Sequence, residues 1–208
     1  MGKVRDILFG IHDPYVGLEL VPFNGHGWAS QSEAFNQIID LIRPKLIVEV
    51  GTWMGGSARY MAGLAKVHNP DVEVVCVDTF LGSVEHWTKE SYLMPLKNGR
   101  PNIYEQFLSN NIHCGLQDNI TPFPIDSINA FGVFKHYKIQ PDMIYIDAAH
   151  DYDSVKADIE RWYTLLPVGG YLIGDDFHHP PIIKAVNDVF GSLGGVDTVN
   201  EKYMRQKL

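Results

Sequence analysis

Four side chains toward the end of the chain have the types and spacing to do chemistry together: Asp147, His150, Asp175 and Asp176. Asp147 closes the apolar run Met143-Ile144-Tyr145-Ile146, and Asp175-Asp176 closes Tyr171-Leu172-Ile173-Gly174. Both runs are short, apolar and bounded by turn residues, as buried strands are. In a doubly wound sheet two such strands are neighbours, and their carboxyl ends border the ligand crevice. Three carboxylates that close repel one another, and at least one is pushed toward its neutral form. A divalent cation removes that cost, and all-oxygen ligands select a hard ion, Mg2+ or Mn2+. Asp147, Asp175 and Asp176 are therefore the candidate metal ligands, and no cysteine stands near them to suggest zinc. His150 suits a general base, since an imidazole accepts a proton near neutral pH. Asp151, His178 and His179 are alternative bases. The plainer reading is that an aspartate at a strand end only caps the following turn.

These groups need a frame, and the frame is set by Leu46 to Tyr60, LIVEVGTWMGGSARY. An apolar, branched run breaks at Gly51, turns through Thr52-Trp53-Met54-Gly55-Gly56 and resumes at Ser57 as a helix. Strand, glycine-bearing turn and helix make a nucleotide site in doubly wound sheets. Gly51 allows the tight turn, and Gly55 and Gly56 would let a ligand approach bare backbone. The first amides of the helix favour a negative group. The spacing is not G-x-G-x-x-G, and Glu49 lies inside the strand. A buried carboxylate needs a partner; it would repel a dinucleotide pyrophosphate and accept a cationic ligand. The next strand, Val72 to Asp78, ends in an acid about 20 residues past the turn, where such folds hold a ribose hydroxyl.

The segment E-V-G-T-x-x-G-G-S resembles the first motif of class I S-adenosylmethionine-dependent methyltransferases. The resemblance implies that Glu49 lies near the amino-acid end of the cofactor and that Gly51, Thr52, Gly55, Gly56 and Ser57 lie under its ribose and methionine. It also implies that Asp78 holds the ribose, that Asp126 and Ser127 contact the adenine, and that Asp147 borders the cofactor as well as the metal. Ile146-Asp147-Ala148-Ala149-His150-Asp151-Tyr152 with Gly174-Asp175-Asp176 resembles the metal-dependent O-methyltransferases. The catechol-like group carries Asp-x-x-Lys and then Asp-Asn. This chain has His150 and Asp176 at the lysine and asparagine positions, which is closer to the macrocin-type sugar methyltransferases. The implied reaction is methyl transfer from S-adenosylmethionine to a hydroxyl of a small sugar- or phenol-like acceptor, with Mg2+ or Mn2+. Metal-independent transfer, a nucleotide-binding oxidoreductase and a non-catalytic module on the same fold are the alternatives.

The implied fold is α/β, a doubly wound, mostly parallel seven-stranded sheet of order 3-2-1-4-5-7-6 with helices on both faces. The resemblance covers residues 30–208, with an insertion at 80–101; residues 1–29 read as a strap or a cap with one short helix at most. Ser30 and Glu33 form a capping box that opens a helix with Phe35, Ile38, Ile39 and Ile42 on one face. Asp153-Ser154 caps a later helix with the stripe Val155, Ile159, Trp162 and Leu166. Ile120 to Ile125 is an edge strand, which its prolines suit. Residues 191–195 read as a turn, and 196–199 with 202–205 as a terminal hairpin.

The 208 residues and 45% apolar content fit one globular domain. A formal charge of −8 disfavours nucleic acid, whose phosphates want a basic face. No apolar run approaches a membrane span, and the N-terminus is too short in apolar residues for a signal peptide. Two cysteines, Cys76 and Cys114, do not make a disulfide scaffold, so the expected compartment is the cytoplasm. The sequence leaves the oligomeric state open, a homo-oligomer included.

Overall fold

A computed structural model of the chain describes residues 3–28, 30–191 and 197–208, with the side chain of Asp197 excepted. Its centre is a sheet of seven strands: β1 (Leu46–Val50), β2 (Glu73–Asp78), β5 (Ile120–Pro124), β6 (Met143–Ile146), β7 (Tyr171–Gly174), β8 (Asp197–Val199) and β9 (Lys202–Gln206). A separate hairpin, β3 (Leu96–Lys97) with β4 (Arg100–Pro101), lies in the insertion. Along the main sheet the order is β5-β2-β1-β6-β7-β9-β8. Leaving out β3 and β4, which pair only with each other, the strands read 3-2-1-4-5-7-6 in chain order. The first five are parallel, and β9 joins β7 antiparallel and carries β8.

The strands are apolar on both faces because helices cover both. Ile47, Val74, Met143, Tyr145 and Ile173 point to the side of α2 (Glu33–Ile42), α3 (Gly56–His68) and α5 (Ile103–His113). Val48, Val50, Val75, Val77, Ile144 and Leu172 point to the side of α6 (Ser127–Tyr137), α7 (Tyr152–Trp162) and α8 (Pro180–Phe190). The short α1 (Val4–Phe9) docks on the second side, where Glu73 accepts the amides of Val4 and Arg5 at 2.7 and 2.9 Å. Residues 10–28 then run without regular structure across α5, apart from turns. The buried Asn110 side chain bonds both the amide and the carbonyl of Asn24, at 2.9 and 2.7 Å.

Two caps differ from the sequence reading. The N-cap of α2 is Ser32, whose hydroxyl accepts the Ala34 amide at 3.2 Å, and not Ser30. Ser30 is drawn against the glycine turn: a Cβ on Gly56 would lie 2.3 Å from its Oγ. The helix therefore starts two residues later. Likewise α7 is capped by Asp151, which accepts the Ser154 amide at 3.0 Å, and not by Asp153-Ser154. The expected edge strand and terminal hairpin are present as β5 and β8–β9. Past Gly191, the turn expected over 191–195 lies outside the described residues, as does Val196.

Candidate active site

Parallel register brings the strand ends into one row. The Gly51 amide bonds the Val77 carbonyl at 2.9 Å, the Asp147 amide bonds Val50 at 2.8 Å, and the Asp175 amide bonds Ile146 at 3.1 Å. The residues past β2, β1, β6 and β7 thus share one carboxyl edge, the position of ligand crevices in such sheets. Asp78, Gly51, Asp147 and Asp175 are neighbours there although 97 positions separate Asp78 from Asp175.

On the β1 side, Glu49 has no exposed surface. It accepts the Thr52 hydroxyl at 2.5 Å and the Ser57 hydroxyl at still shorter range. Burial pushes its carboxyl up to about 7 against the pull of those hydroxyls. Asp78 takes the amides of Thr52 and Trp53 on one oxygen, both at 2.9 Å, and the Phe80 amide on the other at 2.7 Å. It therefore fixes the glycine turn and the exit of β2 together, and three of about four acceptor positions are used. The amino end of α3 has no side-chain cap, so its first amides are free of side-chain partners.

The glycines also serve the packing of the chain. Gly51 and Gly55 hold φ of +85° and +79°, which the turn requires. The space their missing side chains leave is filled by protein. A Cβ on Gly51 would lie 2.0 Å from the Asp147 carbonyl oxygen, and one on Gly55 2.8 Å from the Phe107 ring. With Ser30 against Gly56, these glycines admit close packing of the chain on itself.

On the β6–β7 side, the expected acids divide. Asp147, His150 and Asp176 converge, with ligand atoms within 4.8 Å of one another; Asp176, His178 and His179 form a second, more exposed group of the same kind. His150 Nε2 lies 3.1 Å from Asp176 Oδ2. That hydrogen bond raises the imidazole above its usual range and lowers the Asp176 carboxyl. Asp176 holds φ of +57°, in the left-handed region that aspartate tolerates better than most residues with a side chain. Burial pushes Asp147 up, and the neighbouring Asp175 charge adds to it.

Asp175 turns elsewhere. Its Oδ2 lies 2.5 Å from the ammonium of Lys202, a residue of β9 with no exposed surface, and its Oδ1 accepts the Asp176 amide at 2.8 Å. Tyr145 links the acids, with its hydroxyl 2.9 Å from Asp147 Oδ2 and 2.7 Å from Asp175 Oδ2. Burial and the two carboxylates keep that hydroxyl protonated by pushing its pKa far up. The expected trio is thus brought close, but Asp175 faces a built-in cation. Sequence reasoning missed both Lys202 and Tyr145; a lysine in a terminal hairpin and a tyrosine inside an apolar strand carry no local signal of this role.

The remaining candidates fall outside the cluster. Asp151 serves as the α7 cap, with its Oδ1 accepting the Ser154 amide. Asp126 caps α6 by accepting the Asn129 amide at 3.0 Å. Ser127 bonds Asp158 and the Trp162 indole, so its hydroxyl serves the packing of α6 on α7. Over the glycine turn, His86 of α4 (Val84–Thr88) stacks on Trp53 at 4.0 Å and 7°, and Trp28 lies 5.9 Å from Trp53. Trp28 of the strap and His86 of the insertion therefore meet above Trp53, which the sequence did not announce.

A family profile described as a methyltransferase domain matches residues 48–177, from β1 to just past Asp176. The chain belongs to this methyltransferase family. The match spans the glycine turn, Asp78 and the acid cluster, and omits the strap and Lys202. An uncharacterized protein of Acanthamoeba polyphaga mimivirus is 24% identical to the methyltransferase over 151 residues, 70% of this chain and 59% of that protein. The chain thus spans little more than half the length of that curated relative. Among solved structures, an O-methyltransferase from Bacillus cereus in complex with SAH superposes with a TM-score of 0.60 at 16% identity, covering 86% of this chain and 81% of that one. A calicheamicin methyltransferase gives 0.62 at 18% identity, covering 83% and 77%. At these identities the likeness speaks for the fold.

Proposed function

We propose that this methyltransferase transfers the methyl group of S-adenosylmethionine to a hydroxyl of a small acceptor, sugar- or phenol-like, with a divalent cation, Mg2+ or Mn2+, at the acid cluster. One observation carries the reading: the glycine turn with Glu49 and Asp78 shares a single carboxyl edge with Asp147, His150 and Asp176. The B. cereus O-methyltransferase was solved with SAH, and the calicheamicin enzyme is described as a TDP-rhamnose 3'-O-methyltransferase, which supports the cofactor and a sugar acceptor. The formal charge of −8 supports a small acceptor over nucleic acid.

The donor set fits both groups. Glu49, buried and held up to about 7, is ready to ionise beside a cationic amino-acid end. Thr52, Ser57 and the uncapped start of α3 line the same turn, and Asp78 keeps one acceptor position for a ribose hydroxyl. The turn glycines Gly51, Gly55 and Gly56 shape this cradle, and Asp126 and Ser127, at the start of α6, would border its adenine side through their backbone. Asp147 and Asp176 would hold the cation, whose chemistry would be to bind the acceptor oxygen and lower its pKa. His150, oriented by the bond from its Nε2 to Asp176, takes the proton of the acceptor hydroxyl at Nδ1. The fold supplies the rest by holding the acceptor oxygen in line with the sulfur–methyl bond.

Calorimetry with S-adenosylmethionine and its demethylated product tests the cofactor; Kd values in the micromolar range, about −8 kcal/mol, are expected. No binding of either compound would remove the reading. Turnover should vanish in chelator and return with Mg2+ or Mn2+. His150→Ala should lower turnover by roughly 10²–10⁴-fold, the weight of a positioned base. The existing pairing of His150 with Asp176 favours a second reading, transfer without metal, in which full activity survives chelation.

A further inference from the structure

Lys202 is a charged side chain with no exposed surface, and nothing in the reaction proposed above uses it. Its ammonium lies 2.5 Å from Asp175 Oδ2 and 3.0 Å from the Tyr145 hydroxyl, with the Phe35 ring 5.3 Å away. Buried ammonium groups are retained only when paired and hydrogen-bonded. Both oxygens of Asp175 already accept a bond inside the protein, Oδ2 from Lys202 and Oδ1 from the Asp176 amide. The same tyrosine hydroxyl reaches Asp147 Oδ2 at 2.9 Å. Among the described residues, the two groups able to converge on an ion are Asp147-His150-Asp176 and Asp176-His178-His179, and Asp175 belongs to neither.

We infer that Lys202 is a positioning residue: a tethered cation that withdraws Asp175 from the metal site, leaving Asp147 and Asp176 as its carboxylate ligands and aiming Asp147 through Tyr145. The inference rests on the metal-assisted reading above. Its physical reason is charge. Asp147, Asp175 and Asp176 together would crowd three negative charges at two strand ends. Lys202 neutralises one of them from within the sheet, by way of β9, whose register with β7 sets its place beside Asp175. A divalent ion drawn onto Asp175 would approach that ammonium and be repelled by it. The site is therefore built for an ion with two carboxylate ligands and open positions for the acceptor.

The test measures Mn2+ binding by the electron paramagnetic resonance of the free ion, on whole protein with the demethylated cofactor present and circular dichroism to verify folding. Asp176→Asn should weaken Mn2+ binding about tenfold or more, as loss of a ligand charge does. Lys202→Met/Asp175→Asn, which replaces the ion pair by a neutral pair, should bind Mn2+ within about twofold of the wild type, because no ligand is lost. Lys202→Met alone releases Asp175 toward the ion and should tighten Mn2+ binding by roughly tenfold, in line with an added ligand charge, while turnover falls. A generally loosened site would lower both. The double variant decides the matter even if Lys202→Met does not fold. Loss of Mn2+ binding in the double variant to the level of Asp176→Asn would make Asp175 a ligand and overturn the inference. So would a folded Lys202→Met with unchanged affinity. A wild-type protein that binds no Mn2+ would instead remove the metal-assisted reading, and the inference with it.

Discussion

Glu49 shows how one residue couples stability to ligand. Its carboxyl is held up to about 7 in the folded chain by burial, against an ordinary value of 4.5. The folded state thus binds a proton that the unfolded state releases between those values. The resulting stability is fully present below about pH 4.5 and is lost as pH rises through about 7. At one pKa unit per 1.36 kcal/mol the loss is about 3 kcal/mol. Urea unfolding at pH 5 and pH 8 should show this decline in the ligand-free protein, and Glu49→Gln should flatten it. Parallel declines in the two proteins would place the cause elsewhere. A cationic cofactor end beside Glu49 would favour the ionised form, so binding of S-adenosylmethionine near pH 6.5 should release a proton. Calorimetry in two buffers of different ionisation heat detects that release.

At the scale of elements, the start of α2 is set by what precedes it. Ser30 and Ser32 are both good N-cap residues, and the capping-box pattern chose the first. In the fold Ser30 is wedged against Gly56, and Ser32 Oγ takes the Ala34 amide. Ser32→Ala should therefore cost about 1 kcal/mol in urea unfolding, whereas Ser30→Ala should cost clearly less through its cap role. The reverse order would restore the sequence reading. The same logic governs α7, where Asp151 and not Asp153 is the cap. Above the turn, α4 and the strap meet on Trp53, whose ring is stacked on His86. His86 accepts the Ser83 amide at Nδ1, and burial holds the imidazole below its usual range, so the ring packs there neutral.

The whole molecule brings Asp78, Asp147, Asp175 and Asp176 to one edge of the sheet and keeps a net negative charge. A ligand that binds only the folded chain should raise its stability by about 2.7 kcal/mol at a hundredfold excess over Kd. Thermal unfolding with the demethylated cofactor should show that rise, and Asp78→Ala should reduce it. An unchanged midpoint at saturating ligand would count against a cofactor site at the glycine turn. No helix among the described residues is long and apolar enough to cross a membrane.

The sequence by itself determined the architecture. Doubly apolar strands, a glycine turn after Val50 and acids at strand ends are short-range patterns that point to a doubly wound sheet and its crevice, while the strand order followed only from the resemblance to class I methyltransferases. They also singled out Glu49, Asp78, Asp147, His150 and Asp176 as candidates, because each sits at a fixed step from a strand or turn signal. What only the tertiary structure decided is which side chain answers which charge. Lys202 lies 27 positions from Asp175, and Tyr145 a further 30 before it. Their meeting depends on β9 returning antiparallel beside β7, in a register that no local pattern states. The turn glycines tell the same lesson: the sequence called for absent side chains, and the fold filled the space with Asp147, Phe107 and Ser30. Period and turn chemistry are written along the chain, whereas charge pairing across a sheet is settled only when distant strands lie side by side.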